Sequence, residues 1–422
     1  MKLTYIQQIP YRHLRDDFAA LHSESVVTNP FYELVDRDLL HADLRDALYE
    51  SMHAARAGFD AVGLQEHGSS SYDINPNPDL GAAALAYATE AEGLRVGIYL
   101  LGRSLGKSRE PVRVAEELAW IDSISGGRLL AGFPVGLAYD ANVNAGVPPI
   151  ETRGRYDENF ELILRAWTER EPFAWNGRYS QSMGVNIWPR PYQSPHPPIS
   201  ITGIGNPATT RFALERDLGF NLVTLGSDPK IGAAPIFDSM WSMASEMGID
   251  ANPYRAAMAV TVLVGETDED AEKLYSKHLE YHLSRGLGHI PMNRLALPGG
   301  ISPQGLKVLL AQPVPPANLP APSYAEAVRS GLVVAGSPAT VRETLADYAR
   351  SFRVGQLLVF LQVGSMPIEL TKHNIDLFAS EVAPHLRPLW SEYDDDNRWW
   401  PVALGGQPAS NKQADTTGAR LK

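Results

Sequence analysis

Glu66 and His67 stand side by side in GLQEHGSS (63–70), at the end of an apolar run with the pattern of a buried strand. Adjacent strand residues point to opposite faces. One of the pair can therefore look into a site while the other braces a neighbouring strand. An imidazole in that position can donate, accept or shuttle protons near neutral pH. A hydrogen-bonded capping histidine would occupy the same position, and location alone weighs the two equally.

GIGNPATT (203–210) lies between a strand pattern and a helix pattern. It matches the dinucleotide fingerprint G-x-G-x-x-A, with Asp228 about twenty residues further on. That fingerprint normally opens the first βα unit, whereas several units precede it here. Its physics does not depend on the fold. Glycines let the backbone approach a phosphate, free N–H groups at a helix start bind it, and Thr209 adds a hydroxyl. The alternative is a plain strand-to-helix turn.

His278 and His282 in HLEYH share a helix face at i and i+4, but Glu280 is not placed as in H-E-x-x-H. They are assigned to a solvated face, and the run Asp394, Asp395, Asp396 to a solvated turn. No metal site is expected. WSEYDDDNRWWP (390–401) is aromatic enough to pack on the body of the protein or on a partner subunit.

Positioning these groups requires a scaffold. Apolar runs at 3–9, 60–66, 94–102, 126–133, 197–203, 220–226, 257–265 and 354–363 read as strands. Helical periodicity covers 44–58, 79–92, 109–125, 152–169, 207–217, 267–285, 337–351 and 367–382. Strands alternating with helices imply a parallel sheet, and eight such units imply an α/β fold of the (β/α)8 TIM-barrel type with insertions. Residues 1–404 form one domain, 405–422 a disordered tail. Residues 170–198 read as loop, and the Pro/Gly-rich 286–330 as an insertion that could cover the site.

The 422 residues carry 44% hydrophobic and 20% charged side chains, a globular composition. A net charge of −12 argues against nucleic acid or an anionic membrane as partner. Cysteine is absent, which excludes disulfides and thiolate chemistry. With no signal-peptide pattern and no long apolar run, a cytoplasmic location is expected.

Several stretches together resemble the bacterial luciferase-like, flavin-dependent monooxygenase family: GFDAVGLQEH (58–67), LRVGIYLL (94–101), REPVRVAEELAWIDSISGGRLLAGFPVG (109–136), GRYDENFELILRAW (154–167), PPISITGIGNPATTRFA (197–213) and GSPATVRETL (336–345). They follow the family's order and span most of the chain. The resemblance implies the same barrel, with reduced FMN, or in some branches a deazaflavin, at its C-terminal mouth. It makes His67, preceded by Glu66, the catalytic pair. Tyr99 and Leu100 would lie under the flavin ring, where a non-proline cis peptide often occurs. Gly136, with Gly203, Ile204, Gly205, Asn206 and Thr209, would contact the cofactor, the last five holding its phosphate.

Two departures stand out. Pro134 and Val135 replace the Cys-Arg of luciferases proper, leaving Arg153, Arg155 and Arg211 as possible phosphate cations. Gly68 replaces a second histidine, which makes aldehyde oxidation with light emission doubtful. The resemblance thus implies an oxygenase that uses reduced FMN as cosubstrate, supplied by a separate flavin reductase, with dioxygen and a small organic substrate. A homodimer or higher homo-oligomer is implied too. Asp73, Tyr139 and Asp140 are candidate substrate contacts. The alternatives are a deazaflavin-dependent dehydrogenase on the same fold and a non-catalytic flavin-binding protein.

Overall fold

The computed structural model describes residues 1–223, 229–295 and 321–409, together with positions 297, 303 and 307. Strands are numbered along the chain: β1 (Lys2–Gln7), β2 (Ala61–Leu64), β3 (Gly97–Leu100), β4 (Leu129–Gly132), β5 (Phe173–Asn176), β6 (Gln181–Val185), β7 (Ile199–Gly203), β8 (Gly219–Leu222), β9 (Ala256–Val264), β10 (Val334–Gly336) and β11 (Gln356–Phe360). All but β5, β6 and β10 form a closed parallel barrel of eight strands. Closure is made by β8 on β9 at Phe220 and Ala256, β9 on β11, and β11 on β1 at Leu358 and Thr4. β10 extends the far end of β9, with Val334 opposite Val262.

Alternation along each strand divides the core into two layers. Ile6, Ala61, Tyr99, Leu101, Leu130, Ala257, Ala259 and Leu358 pack inside the barrel. Leu3, Tyr5, Val62, Leu64, Ile98 and Leu100 pack outward beneath the helices. Burial on both faces is why these strands read as unbroken apolar runs. Inside, a Cβ on Gly63 would come within 2.5 Å of Ile6 Cδ1 and 3.0 Å of Tyr99 O, so glycine makes room for the tyrosine.

The outer ring contains α1 (Arg37–Arg56), α2 (Pro78–Ala91), α3 (Pro111–Ile124), α4 (Pro149–Thr168), α5 (Pro207–Glu215), α6 (Ala234–Glu246), α7 (Asp268–Arg285), α8 (Pro338–Ser351) and α9 (Ile368–Leu377). Their starts carry the expected chemistry. Asp36 accepts from the N–H groups of Asp38 and Leu39, Asn77 from that of Asp79, and Thr267 from that of Asp270.

The barrel agrees with the sequence reading, and several details correct it. Residues 170–198 are not simply a loop: β5 and β6 form an antiparallel hairpin. The Glu158 carboxylate fixes its turn by accepting from the backbone N–H of Arg178, Tyr179 and Ser180. The aromatic stretch after 390 packs on the barrel. Trp400 is 1% exposed and joins the interior cluster from the N-terminal end. Asp394, Asp395 and Asp396 are all exposed, as expected of a solvated turn, and Asp394 also accepts from the buried Tyr254 hydroxyl. The face of α7 that carries His278 is buried as well, with Nδ1 2.9 Å from Ser365 Oγ. The peptide bonds around Tyr99 are trans; the cis bonds among the described residues are Trp188–Pro189 and Ser194–Pro195.

Gly406 and Gln407 donate to the carbonyls of Pro401 and Asn397, so the expected tail starts against the fold. The tail from 410 onward, Asp228, and about half of the proposed cover lie outside the described residues. No helix among them is long and apolar enough to cross a membrane.

Candidate active site

The barrel sets the C-terminal ends of its parallel strands on one rim, where side chains from successive loops converge. β2 stops at Leu64, and Glu66 and His67 follow on the descending loop. His67 N–H donates to Asn75 O at 2.9 Å, and the Asn75 amide donates to Gln65 O at 2.7 Å, which fixes the loop's path.

Glu66 and His67 do point to different partners. Glu66 is 5% exposed. Its Oε1 lies 3.0 Å from Arg103 Nη1 and 3.2 Å from Lys107 Nζ, while Oε2 accepts from Ser104 N–H at 2.6 Å. Both oxygens are thus committed to the loop after β3. In this geometry the carboxylate braces the loop after β3.

His67 Nδ1 is 2.8 Å from Tyr139 Oη, and Tyr139 Oη is 2.7 Å from Tyr72 Oη. Asp140 Oδ2 lies 3.9 Å from the same Nδ1. The His67 side chain keeps 15% exposure, and Nε2 has no hydrogen-bond partner among the described residues. Burial pushes its pKa down to about 4, outweighing the opposing pull of Asp140. The ring is therefore neutral at neutral pH.

Asp140 is held by Lys107 Nζ at 2.8 Å and by Gly68 N–H at 3.1 Å. A Cβ at position 68 would meet Asn144 Nδ2 at 2.4 Å and Asp140 Oδ1 at 3.2 Å. The glycine that replaces a second histidine is thus what lets Asp140 approach the loop.

Asp73, Tyr139 and Asp140, expected to touch substrate, are 0%, 0% and 2% exposed. Asp73 Oδ1 accepts from Ile9 N–H, and the other two are committed as described. All three lie behind His67 rather than in the open mouth. Tyr72, Arg103 and Lys107 were missed from the sequence. Their only signal was position, on loops that follow β2 and β3.

The expected cofactor contacts divide in the same way. Tyr99 points into the barrel, where its hydroxyl meets Ser200 Oγ at 2.9 Å and Asn221 Oδ1 at 3.0 Å. Leu100 packs outward in the helix-facing core, so its side chain does not face the mouth. Gly136 has φ +113°, and a Cβ there would lie 2.4 Å from Ser104 Oγ, so the turn after β4 depends on it.

After β7 the chain turns through Gly203, Ile204 and Gly205 into α5, capped by Asn206 Oδ1 accepting from Ala208 N–H at 3.0 Å. The N–H groups of Ile204 and Gly205 make no hydrogen bond among the described residues. Arg153 Nη1 reaches Thr209 Oγ1 at 3.4 Å. Arg153 and Arg155 each also pair along their helix, with Asp157 at 2.9 Å and Glu151 at 2.8 Å, and Arg211 faces outward. Two backbone donors, a hydroxyl and one guanidinium therefore converge on this turn. No group of three potential metal ligands occurs among the described residues.

A family model described as luciferase-like monooxygenase matches residues 23–353. The chain belongs to the luciferase-like monooxygenase family. An uncharacterised protein of Sinorhizobium fredii, y4wF, is 29% identical over 336 residues, covering 78% of this chain and 87% of that one. The oxygenase component of a flavin-dependent trigonelline monooxygenase from Acinetobacter baylyi is 29% identical over 197 residues, 46% of this chain and 52% of its own. In fold, the oxygenating constituent of 3,6-diketocamphane monooxygenase from Pseudomonas putida, solved with FMN, superposes with a TM-score of 0.65. It shares 20% identity, covering 91% of this chain and 98% of that one. Family membership and the names of these relatives support oxidoreductase chemistry of the monooxygenase type.

Proposed function

We propose that this luciferase-like protein is the oxygenase of a two-component system, using reduced FMN and dioxygen to oxidise a small organic molecule. The observation that carries the proposal is a shared rim. His67 at the end of β2 and the Gly203–Thr209 turn at the end of β7 both sit at C-terminal strand ends. The turn's composition suits a flavin mononucleotide phosphate. Ile204 and Gly205 would offer backbone N–H groups, Thr209 its hydroxyl, and Arg153 the neutralising charge. A mononucleotide needs no second nucleotide half, which reconciles the dinucleotide-like motif with its late position in the chain.

Reduced flavin, when bound, supplies the activation of dioxygen. The protein's own part is orientation and dryness. His67 would hold a substrate oxygen, and the buried Tyr72–Tyr139 pair holds His67. The naming of the Acinetobacter relative as an oxygenase component supports supply of the flavin by a separate reductase.

The test is a rapid-mixing trace. Anaerobic protein with reduced FMN is mixed with dissolved dioxygen, and flavin reoxidation is followed by absorbance. Reoxidation slower than that of free flavin is expected. Reoxidation at the free rate, with hydride transfer to a deazaflavin instead, would replace the proposal by the dehydrogenase reading.

A further inference from the structure

The hydrogen-bond chain behind His67 has a direction. Tyr72 is 2% exposed, and its hydroxyl has one partner among the described residues, Tyr139 Oη at 2.7 Å. A buried hydroxyl proton without an acceptor loses its hydration for nothing. Tyr72 must therefore donate to Tyr139. The single proton of Tyr139, itself fully buried, is then free for its other neighbour, His67 Nδ1 at 2.8 Å. Nδ1 is an acceptor.

We infer that the Tyr72–Tyr139 pair locks His67 in the tautomer that carries its proton on Nε2. The histidine then meets the substrate as a hydrogen-bond donor, not as a base. The reverse order, with Nδ1–H donating to Tyr139 and Tyr139 to Tyr72, strands the Tyr72 proton in the core. An imidazolium would strand it in the same way. Asp140 Oδ2, 3.9 Å from Nδ1, would favour a proton there. Its pull is blunted because Lys107 and Gly68 N–H already engage that carboxylate through Oδ1. Tyr72 and Tyr139 are positioning residues in this account.

The consequence for substrate deepens the oxygenase proposal and rests on it. A donor Nε2–H selects a molecule that presents an acceptor oxygen, such as a ketone or other carbonyl. It does not suit an alcohol dehydrogenase, because hydride loss from the carbinol carbon requires a base that takes the hydroxyl proton.

The tautomer is read directly on the flavin-free full chain labelled with 15N-histidine, in two-bond 1H–15N correlations at neutral pH. His67→Gln assigns the His67 signals by their disappearance. The expected pattern has a bare, pyridine-type Nδ1 and a protonated, pyrrole-type Nε2. In Tyr139→Phe the donor is gone and Asp140 becomes the nearest partner, so the two signals should exchange types. Tyr72→Phe leaves Tyr139 with His67 as its only acceptor, and the native pattern should persist. A protonated Nδ1 in the native chain, or in Tyr72→Phe, overturns the inference. Because no flavin is present, that failure is separate from any failure of the oxygenase reading.

Discussion

Lys107 meets Asp140 at 2.8 Å, and that contact ties the loop after β3 to the turn after β4. The same ammonium reaches Glu66 at 3.2 Å, so one cation joins three strand-end loops around His67. Both carboxylates have side chains 2% exposed, and Lys107 is 11% exposed. Removing the cation would leave buried negative charge only partly compensated by Arg103. Lys107→Met should therefore destabilise the fold by about 3 kcal/mol in denaturant unfolding, as for other broken buried pairs. A loss below roughly 0.5 kcal/mol, the range of ordinary surface changes, would show that the cluster is not holding these loops.

The scaffold was legible because its strands are buried on both faces and its helices on one, so each leaves a distinct period in the sequence. β5 and β6 were not, because Met183 and much of the hairpin are solvent-facing, and the order there comes from Glu158 on another element. His67 was legible from position. The division of labour between Glu66 and His67 was anticipated in form, but the identity of the brace was not. Nothing in the adjacent pair tells that Arg103 and Lys107 claim the acid. Asp73, Tyr139 and Asp140 were found as neighbours of the site and misread as its lining, because sequence does not show which polar groups are already satisfied by one another.

Arg153 is singled out among three arginines by its contact with Thr209. If the turn after β7 binds the FMN phosphate, Arg153→Met should weaken FMN binding about tenfold, the worth of one charge-assisted hydrogen bond. Riboflavin, which lacks the phosphate, should bind both proteins alike. The matching change at Arg211, exposed and 4.0 Å from Glu215, should leave FMN affinity within about twofold. Fluorescence titration of the two flavins measures each case. Equal losses for FMN and riboflavin would remove Arg153 from the phosphate site.

His196 gives a pH test away from the active site. It is 1% exposed, stacks on Trp167 at 6.2 Å, and donates from Nδ1 to Pro197 O at 2.7 Å. Nε2 is buried without a partner among the described residues, and burial lowers the pKa from 6.5 to about 4. As pH falls below 6.5 the unfolded chain takes up a proton that the native chain refuses, so native stability is lost between about 6.5 and 4. His196→Asn can keep the bond to Pro197 but has no such proton. The native chain should lose roughly 3 kcal/mol relative to this variant across that window. Parallel stability–pH curves for the two proteins would refute the assignment.

The roof over the Tyr72–Tyr139 pair comes from two segments distant in sequence. Ile290 packs with Val26, Tyr72 and Tyr139, and Ser25 N–H donates to His289 O at 2.9 Å. Arg294 clasps the two segments by meeting Glu24 at 2.6 and 3.0 Å, on a carboxylate whose side chain is 4% exposed. Without the guanidinium, Glu24 must hydrate or take up a proton, and either admits solvent above the histidine's partners. If the chain is the proposed reduced-flavin oxygenase, Arg294→Met should then raise the hydrogen peroxide formed per dioxygen consumed by roughly two- to threefold, because a wetter site wastes reduced flavin. FMN affinity should stay unchanged, since the clasp lies away from the Gly203–Thr209 turn. Peroxide yield in the presence of a flavin reductase measures the first, and flavin titration the second. An unchanged peroxide yield would mean that the clasp serves stability alone.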